Sequence, residues 1–205
     1  MKNYLSTANS KLRKDNIAVF GIPAFRSKSG ESTCPNAAAC VKGCYARQGA
    51  YVWSNVAKAY EDRYQLTKSS EFVAIISAEL NRRKSIKIVR IHDSGDFYSA
   101  DYLLKWIKIC ENNPNIQFYT YTKMVQYFNN SEDLPINLKV IYSFGGKQDH
   151  MISVNADSHS RVFNSIYELR KAGYIDCSRR DINIFKGNKI GLVYHGAESK
   201  RWTSK

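Results

Sequence analysis

Three cysteines, Cys34, Cys40 and Cys44, fall within eleven residues of the stretch TCPNAAACVKGCYARQGAY. Thiolates are ligands of zinc and of iron–sulfur clusters, and the short segments between these cysteines allow three sulfurs to converge on one centre. The chain has five cysteines, an odd number that is not typical of a disulfide framework. The spacing therefore predicts that these three cysteines ligate a metal, with buried or coincident thiols as the alternative interpretation.

The identity of the metal depends on the fourth ligand. A structural zinc site takes four protein ligands, and the candidates for the fourth are all remote in the sequence: Cys177, His92, His150 and His195. A 4Fe-4S cluster held by three cysteines instead leaves one iron open to an exogenous ligand. We therefore expect a 4Fe-4S cluster, with zinc as the alternative metal. The sequence leaves open whether the fourth iron position is free or is filled by His92, His195 or Cys177.

A second polar motif, HDSGDF at 92–97, follows the apolar run SIKIVRI. Asp, Ser and Gly are frequent in turns, so a plain turn is one interpretation. A single turn seldom needs a histidine and two carboxylates together, and carboxylates accept hydrogen bonds from the ammonium or ribose hydroxyl groups of small ligands. The motif therefore indicates a small-molecule site that includes His92, Asp93 and Asp96.

Helical and strand patterns alternate along the rest of the chain. Helices are predicted over 52–67, 69–84, the segment between Ser99 and Pro114, and 161–174, and strands over 85–91, 116–122, 138–144 and 189–196. Strands joined by helices of this length imply right-handed crossovers and a mainly parallel sheet, which defines an α/β fold. In such folds functional groups collect beyond the carboxyl ends of the strands, where this chain also has Lys123 and His195.

The chain shows no internal repeat or linker, so the sequence predicts a single domain over 1–205. Its parts are an N-terminal segment with the cysteine loop (1–50), a β/α core (51–196) and a tail (197–205). No apolar run reaches the length of a membrane span, and the first residues lack the apolar centre of a signal peptide. We therefore expect a cytoplasmic protein with no membrane partner.

The chain is strongly basic, with a formal net charge of +13 and a pI near 9.5. Such a charge favours binding to polyanions. The stretch YARQGAYVWSNVAKAYEDRYQ interleaves aromatic and basic residues, a composition that can stack on single-stranded nucleic acid and neutralise it. The alternative is a buried helix face, with solvated charges around it, made of Tyr51, Val52, Val56, Ala59 and Tyr60. Nucleic acid and a small molecule are therefore both candidate partners.

Three segments, TCPNAAACVKGCYA, RIHDSGDFYS and KIGLVYHG, together resemble the phage family called gene product 88. The resemblance extends from about Gly21 to Gly196 and implies a phage protein that works in the cytoplasm of a bacterial host cell. Many members of that family carry a second group of cysteines just before the last strand. In this chain the corresponding segment, YIDCSRRDINIFKGNK, keeps only Cys177.

A more distant resemblance is to radical S-adenosylmethionine enzymes, whose three-cysteine loop precedes a partial (β/α)6 barrel. The order of the motifs is the same, although the cysteine spacing here is C-x5-C-x3-C and not C-x3-C-x2-C. The resemblance implies that S-adenosylmethionine binds at the open iron. It also implies that Ser94, Gly95 and Asp96 bind this cofactor, together with Ser143 at a polar strand end.

These observations lead to one expectation with one rival. We expect an α/β protein with a partial (β/α)6 TIM-barrel-like fold of mainly parallel strands and a 4Fe-4S cluster on the three cysteines. Whether it is an enzyme stays open; if it is, the catalytic groups on the substrate side are expected to be His92, Asp93, Lys123 and His195. The rival is a non-catalytic protein that binds nucleic acid or a host protein, with an iron–sulfur or zinc site that only stabilises the loop.

Overall fold

A curled, all-parallel sheet forms a half-barrel in the computed structural model, which describes residues 2–129 and 134–194. Within those residues the sheet has seven strands, in the order β1-β2-β3-β4-β5-β7-β6. The strands are β1 Ile17–Phe20, β2 Ile88–Ile91, β3 Gln117–Thr122, β4 Leu138–Ser143, β5 His159–Phe163, β6 Ile175–Asp176 and β7 Lys189–Val193. Because all of these strands point the same way, their carboxyl ends meet along one edge.

Helices connect most of the strands. They are α1 Ser10–Arg13, α2 Ser54–Lys68, α3 Phe72–Arg82, α4 Ala100–Asn112, α5 Val125–Asn129 and α6 Ile166–Lys171. Ser99 caps α4 as predicted, because its Oγ accepts a hydrogen bond from the backbone N–H of Tyr102 at 3.2 Å. None of the helices found in the described ranges is long and apolar enough to cross a membrane.

The side chains of each strand alternate between two cores. On β1, Ala18 and Phe20 pack into the larger core under the helices, whereas Ile17 and Val19 face the concave side of the half-barrel. This alternation is the two-residue period of a strand that is buried on both faces. Helices α2 to α5 therefore cover one face of the sheet, whereas α1 and the segment around the 3-10 turn Asp181–Lys186 pack against the other.

A buried ion network occupies the concave side. The Asp181 carboxylate is fully buried and accepts hydrogen bonds from Arg90 Nη1 at 2.9 Å and Tyr119 Oη at 2.7 Å. Lys11 pairs with the other oxygen of the same carboxylate. Arg90 also lies over the ring of Tyr121, 5.0 Å from its centroid. These contacts fix the segment after β6 against β2 and β3, and they compensate for the burial of the Asp181 and Arg90 charges.

The predicted α/β class and the parallel strands are confirmed, but the (β/α)6 TIM-barrel assignment is not. The described sheet is an open half-barrel of seven strands, and β1 precedes the cysteine loop. The prediction of a helix over 161–174 was wrong in its first part, because β5 takes up its start and α6 begins only after Ser165, whose Oγ accepts from the N–H of Glu168. His195, at the end of the predicted last strand, lies outside the described residues.

Candidate functional site

The cysteine loop, defined here as residues 33–53, lies across the carboxyl edge of the sheet. The backbone N–H of Asp96, which follows β2, donates to Thr33 O at 2.8 Å. Beyond β4, Gly146 forms an isolated β-bridge with Ala37, and the N–H of Lys147 donates to Asn36 O at 2.9 Å. The loop is therefore fixed at both ends of the edge formed by β2, β3 and β4.

All three cysteines of the loop are half-buried and are not in disulfides. Burial, with a smaller contribution from the nearby charge of Asp96, raises the pKa of the Cys34 thiol to about 12. Burial also raises the pKa of Cys44. Negative charge on Cys40 or Cys44 would raise the pKa of Cys34 as well, so both sulfurs are close enough to interact electrostatically with that of Cys34. The site thus favours the neutral thiol form of Cys34 and Cys44 unless a cation is bound beside them.

The cysteine loop has suitable ligands for a metal, but its side chains are not yet arranged around one centre. The donor set is suitable, because free thiols are the ligands of iron–sulfur clusters and of structural zinc. In residues 2–129 and 134–194, however, no group of three or more His, Cys, Asp and Glu side chains lies close enough together to hold a metal ion. The chemistry of the loop fits a thiolate-ligated centre, and binding one would require the thiols to move closer together.

One backbone hydrogen bond is directed at Cys34. The N–H of Phe25 donates to Cys34 Sγ at 3.3 Å, and it does so from a left-handed backbone conformation with φ of +67°. Such a conformation is strained for an aromatic residue, so surrounding contacts must maintain it. This bond lowers the pKa of Cys34 and partly opposes the effect of burial.

We predict that Cys34 is poorly reactive in the metal-free protein. A rise in pKa from an ordinary 9.0 to about 12 lowers the thiolate fraction at pH 8 by a factor of about 1000, and the thiolate is the form that is alkylated. The measurement is the rate of iodoacetamide modification of Cys34, followed by peptide mass spectrometry between pH 7 and 10. A rate at pH 8 equal to that of free N-acetylcysteine would contradict the buried position of this thiol.

Asp93, a predicted substrate-side residue, is held by three tyrosines. Tyr60 Oη donates to its Oδ2 at 2.9 Å, Tyr51 Oη donates to the same oxygen at 3.2 Å, and Tyr45 Oη donates to its backbone carbonyl. Gly21 lies against this carboxylate, since a Cβ at that position would come 2.1 Å from Oδ1. Asp93 therefore attaches the cysteine loop and α2 to the end of β2.

Asp96, a predicted cofactor-binding residue, links two strand ends. Its Oδ1 accepts from Thr122 Oγ1 at 2.6 Å and from the N–H of Phe97 at 2.8 Å, while Oδ2 accepts from the N–H of Lys123 at 2.9 Å. Burial raises the pKa of Asp96, and these hydrogen bonds lower it. The carboxylate connects β2 to β3 next to the start of the cysteine loop, and the chain itself supplies three of its donors.

Gly95 makes this turn possible. Its φ is +80°, and a Cβ there would lie 2.2 Å from Cγ1 of Ile22, a fully buried residue. Ser94, the preceding predicted residue, is buried, and its carbonyl accepts from the N–H of Ile22 at 3.0 Å. The Ser94-Gly95-Asp96 segment is thus packed tightly against the residues that follow β1.

We predict that Gly95→Ala lowers the free energy of unfolding by about 3 kcal/mol, from the clash with Ile22 and the positive φ together. The matched control is Gly30→Ala, because Gly30 has a φ of +88° with no atom within 4 Å of the added Cβ. That control is expected to cost about 1 kcal/mol. Urea denaturation measures both, and equal losses would show that close packing at Gly95 is not important.

Lys123 and Ser143, both predicted site residues, are bonded to each other. Lys123 Nζ donates to Ser143 Oγ at 2.8 Å, to Ser143 O at 3.1 Å and to Phe144 O at 3.2 Å. The ammonium partly opposes the rise in pKa that burial causes at both Cys44 and Asp96. Lys123 is therefore a cation at the carboxyl edge, between β3 and β4 and beside the cysteine loop.

His92 does not lie with these groups. It is almost fully buried in the helix-side core, where its Nε2 is 2.9 Å from Tyr102 Oη and its ring packs 4.7 Å from that of Phe97. Burial lowers the pKa of His92 to about 3, and the charge of Arg90 contributes. The imidazole is therefore neutral at physiological pH and is separated from the edge that carries the cysteines.

The other two cysteines are also placed apart. Cys110 is buried in the helix-side core, as its position on the apolar stripe of α4 predicted, and Cys177 is buried on the concave side. Sequence reasoning missed the residues that hold the loop in place, above all Phe25 and the three tyrosines around Asp93. It also missed the Arg90–Asp181 pair, for which a partial signal was present, because Arg90 interrupts the apolar strand SIKIVRI and a charge at a buried strand position requires a partner.

This arrangement defines an α/β half-barrel with a thiol-bearing loop across the carboxyl edge of its parallel sheet. The family model described as gene product 88 matches residues 2–202, and the chain therefore belongs to the gene product 88 family. The gene 88 protein of Mycobacterium phage L5 is 34% identical over 103 residues, and that of Mycobacterium phage D29 is 29% identical over 103 residues. Each match covers 45% of this chain and 43% of the relative, less than half the length of either curated protein.

No solved structure matches this chain. The predicted membership of the gene product 88 family is thus confirmed, whereas these comparisons do not support the resemblance to radical S-adenosylmethionine enzymes.

Proposed function

We propose that this phage protein binds an iron–sulfur cluster at the carboxyl edge of its half-barrel, with Cys34, Cys40 and Cys44 as ligands. The observation that carries the proposal is the position of the loop: three free thiols on one short segment are fixed over the edge where α/β proteins bind their ligands. Zinc bound by the same thiols is the alternative metal.

The electrostatics of the loop support a bound cation. Burial raises the pKa of Cys34 and Cys44, so thiolates at these two positions need positive charge close by. Lys123 supplies one such charge, but its ammonium is already bonded to Ser143 and Phe144. A metal centre would supply the rest, since coordination deprotonates a thiol.

A cluster is favoured over zinc because two of the candidate fourth ligands, Cys177 and His92, are buried on opposite faces of the sheet. Structural zinc normally requires four protein ligands, whereas a 4Fe-4S cluster functions with three. When bound, such a cluster would supply electron transfer or an open iron for a small ligand.

The protein's own groups have distinct roles in this proposal. The N–H of Phe25 donates to Cys34 Sγ, and hydrogen bonds to cluster sulfurs are one of the means by which proteins tune a reduction potential. Asp93 attaches the loop to the sheet through Tyr45 and Tyr51. These contacts orient the thiols and exclude water from one side of the site.

S-adenosylmethionine as the ligand of the open iron has less support from the geometry. That role would use the Asp96 carboxylate as the acceptor for the cofactor ammonium, yet both of its oxygens already accept hydrogen bonds from the chain. We therefore propose a small ligand at this edge without assigning it to that cofactor. Incubation of the reduced protein with S-adenosylmethionine decides the point, because release of 5′-deoxyadenosine would establish radical chemistry.

Anaerobic reconstitution tests the proposal. The metal-free protein is incubated with ferrous iron and sulfide, desalted and examined by visible absorption. The proposal predicts a brown protein with thiolate-to-iron charge-transfer bands, and zinc added beforehand is expected to block their formation if it uses the same thiols. A protein that stays colourless and retains neither iron nor zinc after desalting would refute a metal site at the cysteine loop.

A further inference from the structure

The outer side of the cysteine loop exposes large apolar and aromatic side chains. Trp53 is 63% exposed, Val52 is 59% exposed and Tyr45 is 50% exposed. The prediction that Val52 belongs to a buried helix face was therefore wrong. Tyr45 begins the 3-10 turn Tyr45–Arg47, and its hydroxyl donates to the Asp93 carbonyl, which fixes the ring. Trp53 lies between the next 3-10 turn, Gly49–Val52, and the start of α2, which fixes its backbone. Fixed, exposed rings of this kind can stack on a ligand with little loss of entropy.

The same surface is basic. Residues 32–60 contain three basic residues, Lys42, Arg47 and Lys58, and no acidic residue. Lys58 pairs with Asp62 on α2. In the part of the chain that the structure describes, neither Lys42 nor Arg47 forms an ion pair with an acid. Arg47 Nη1 donates to Val41 O at 3.2 Å, which places the guanidinium beside the segment that carries Lys42.

From this combination we propose that the outer side of the cysteine loop binds single-stranded nucleic acid. Bases stack on Trp53 and Tyr45, and Lys42 and Arg47 neutralise the adjoining phosphates. The cores of protein–protein interfaces are depleted of charged residues, whereas here the exposed rings alternate along the sequence with Lys42 and Arg47, on a chain of net charge +13. This surface recognises what single-stranded DNA and RNA have in common, which is a flexible, negatively charged backbone with exposed bases.

Fluorescence anisotropy with the full chain tests this inference. The probes are labelled single-stranded DNA, single-stranded RNA and duplex DNA of about 20 nucleotides, which exceeds the 4–16 nucleotides of typical single-strand sites. We expect one or both single strands to bind more tightly than the duplex, with an affinity that falls as salt rises. The comparison of DNA with RNA identifies the natural class.

Two variants separate stacking from charge. Trp53→Ala is expected to weaken single-strand binding about five- to 100-fold, and Trp53→Phe is expected to recover part of the loss. The double variant Lys42→Gln/Arg47→Gln is expected to reduce the slope of log affinity against log salt by about 1.4. The matched control is Tyr167→Ala/Lys171→Gln on α6, where Tyr167 is 71% exposed, and it is expected to bind as wild type does.

Three results would overturn the inference: no single-strand binding at low salt, equal binding by wild type and Trp53→Ala, or an equal loss in the α6 control. Trp53 is not a proposed metal ligand, so the iron content of Trp53→Ala is expected to match that of wild type. The nucleic-acid surface and the metal site can therefore fail independently.

Discussion

Replacing Asp181 with asparagine is expected to lower the free energy of unfolding by about 3–5 kcal/mol. Asp181 is fully buried and takes part in ion pairs with both Arg90 and Lys11. Asparagine keeps the shape of the side chain but leaves these two cations without a counter-charge on the concave side of the half-barrel. The loss of one member of a buried ion network costs far more than the loss of a surface pair, because the remaining buried charge, here that of Arg90, stays desolvated.

The same network sets a pH dependence. Burial raises the pKa of Asp181, but the charges of Arg90 and Lys11 outweigh that effect and hold the pKa below its ordinary range. A carboxylate with a depressed folded-state pKa stabilises the fold fully above its unfolded pKa of about 3.9. The contribution is lost as pH falls through the lower folded-state pKa. Wild type is therefore expected to lose this part of its stability below about pH 4, and Asp181→Asn is expected to lack that component of acid sensitivity.

Urea denaturation followed by tryptophan fluorescence measures both effects, since Trp106 is fully buried. The matched control is Asp62→Asn, which removes a carboxylate that pairs with Lys2 and Lys58 at the surface. That control is expected to change stability by less than about 1 kcal/mol. If Asp181→Asn and Asp62→Asn unfold at the same urea concentration, the buried network does not hold the concave side together.

Serine at Cys34, Cys40 or Cys44 is expected to lower the iron content of the reconstituted protein at least about tenfold. Even the loss of a residue that only hydrogen-bonds to a metal ligand commonly costs about 10- to 100-fold in metal affinity. A hydroxyl is a poor ligand for iron in a cluster, and three cysteines leave no spare thiol on the loop. The fold is expected to persist in each variant, because these side chains are only half-buried. Iron analysis and visible absorption measure the change, with circular dichroism to check the fold.

The matched control for these variants is Cys110→Ala, which removes a buried thiol in the helix-side core, away from the loop. It is expected to lose some stability and to keep its iron. Iron binding that survives in all three single serine variants, or that is lost in Cys110→Ala while that variant remains folded, would show that the cysteine loop is not the ligand set.

Much of the fold could be predicted from the sequence, because long segments with a regular spacing of apolar residues indicate whether they form helices or strands. The helices at 54–68, 72–82 and 100–112 and the strands at 117–122 and 138–143 lie within a few residues of their predicted bounds. The short strands were harder to find. β1 has only four residues, and β5 adjoins a capped helix, so its apolar residues fitted a helical period as well as a strand.

The sequence predicted individual residues of the site, but it did not predict the long-range contacts between them. The cysteines and the HDSGDF motif were singled out by residue type, and the structure places Cys34 and Asp96 on the same edge. The tyrosine contacts to Asp93 join residues 33 to 48 positions apart, and no local pattern predicts such pairings. His92 shows the opposite error, because the strand-end rule gave its position in the chain but not the face toward which its side chain points.

The most direct test of the central claim is the metal content of the protein purified under anaerobic conditions without reconstitution. Iron, acid-labile sulfide and zinc are measured against protein concentration in wild type and in Cys34→Ser. We predict about four irons and four sulfides per chain in wild type, as a 4Fe-4S cluster requires, and a marked loss of both in the variant. Wild-type protein that contains neither iron nor sulfide, or that contains one zinc per chain in their place, would contradict the iron–sulfur proposal.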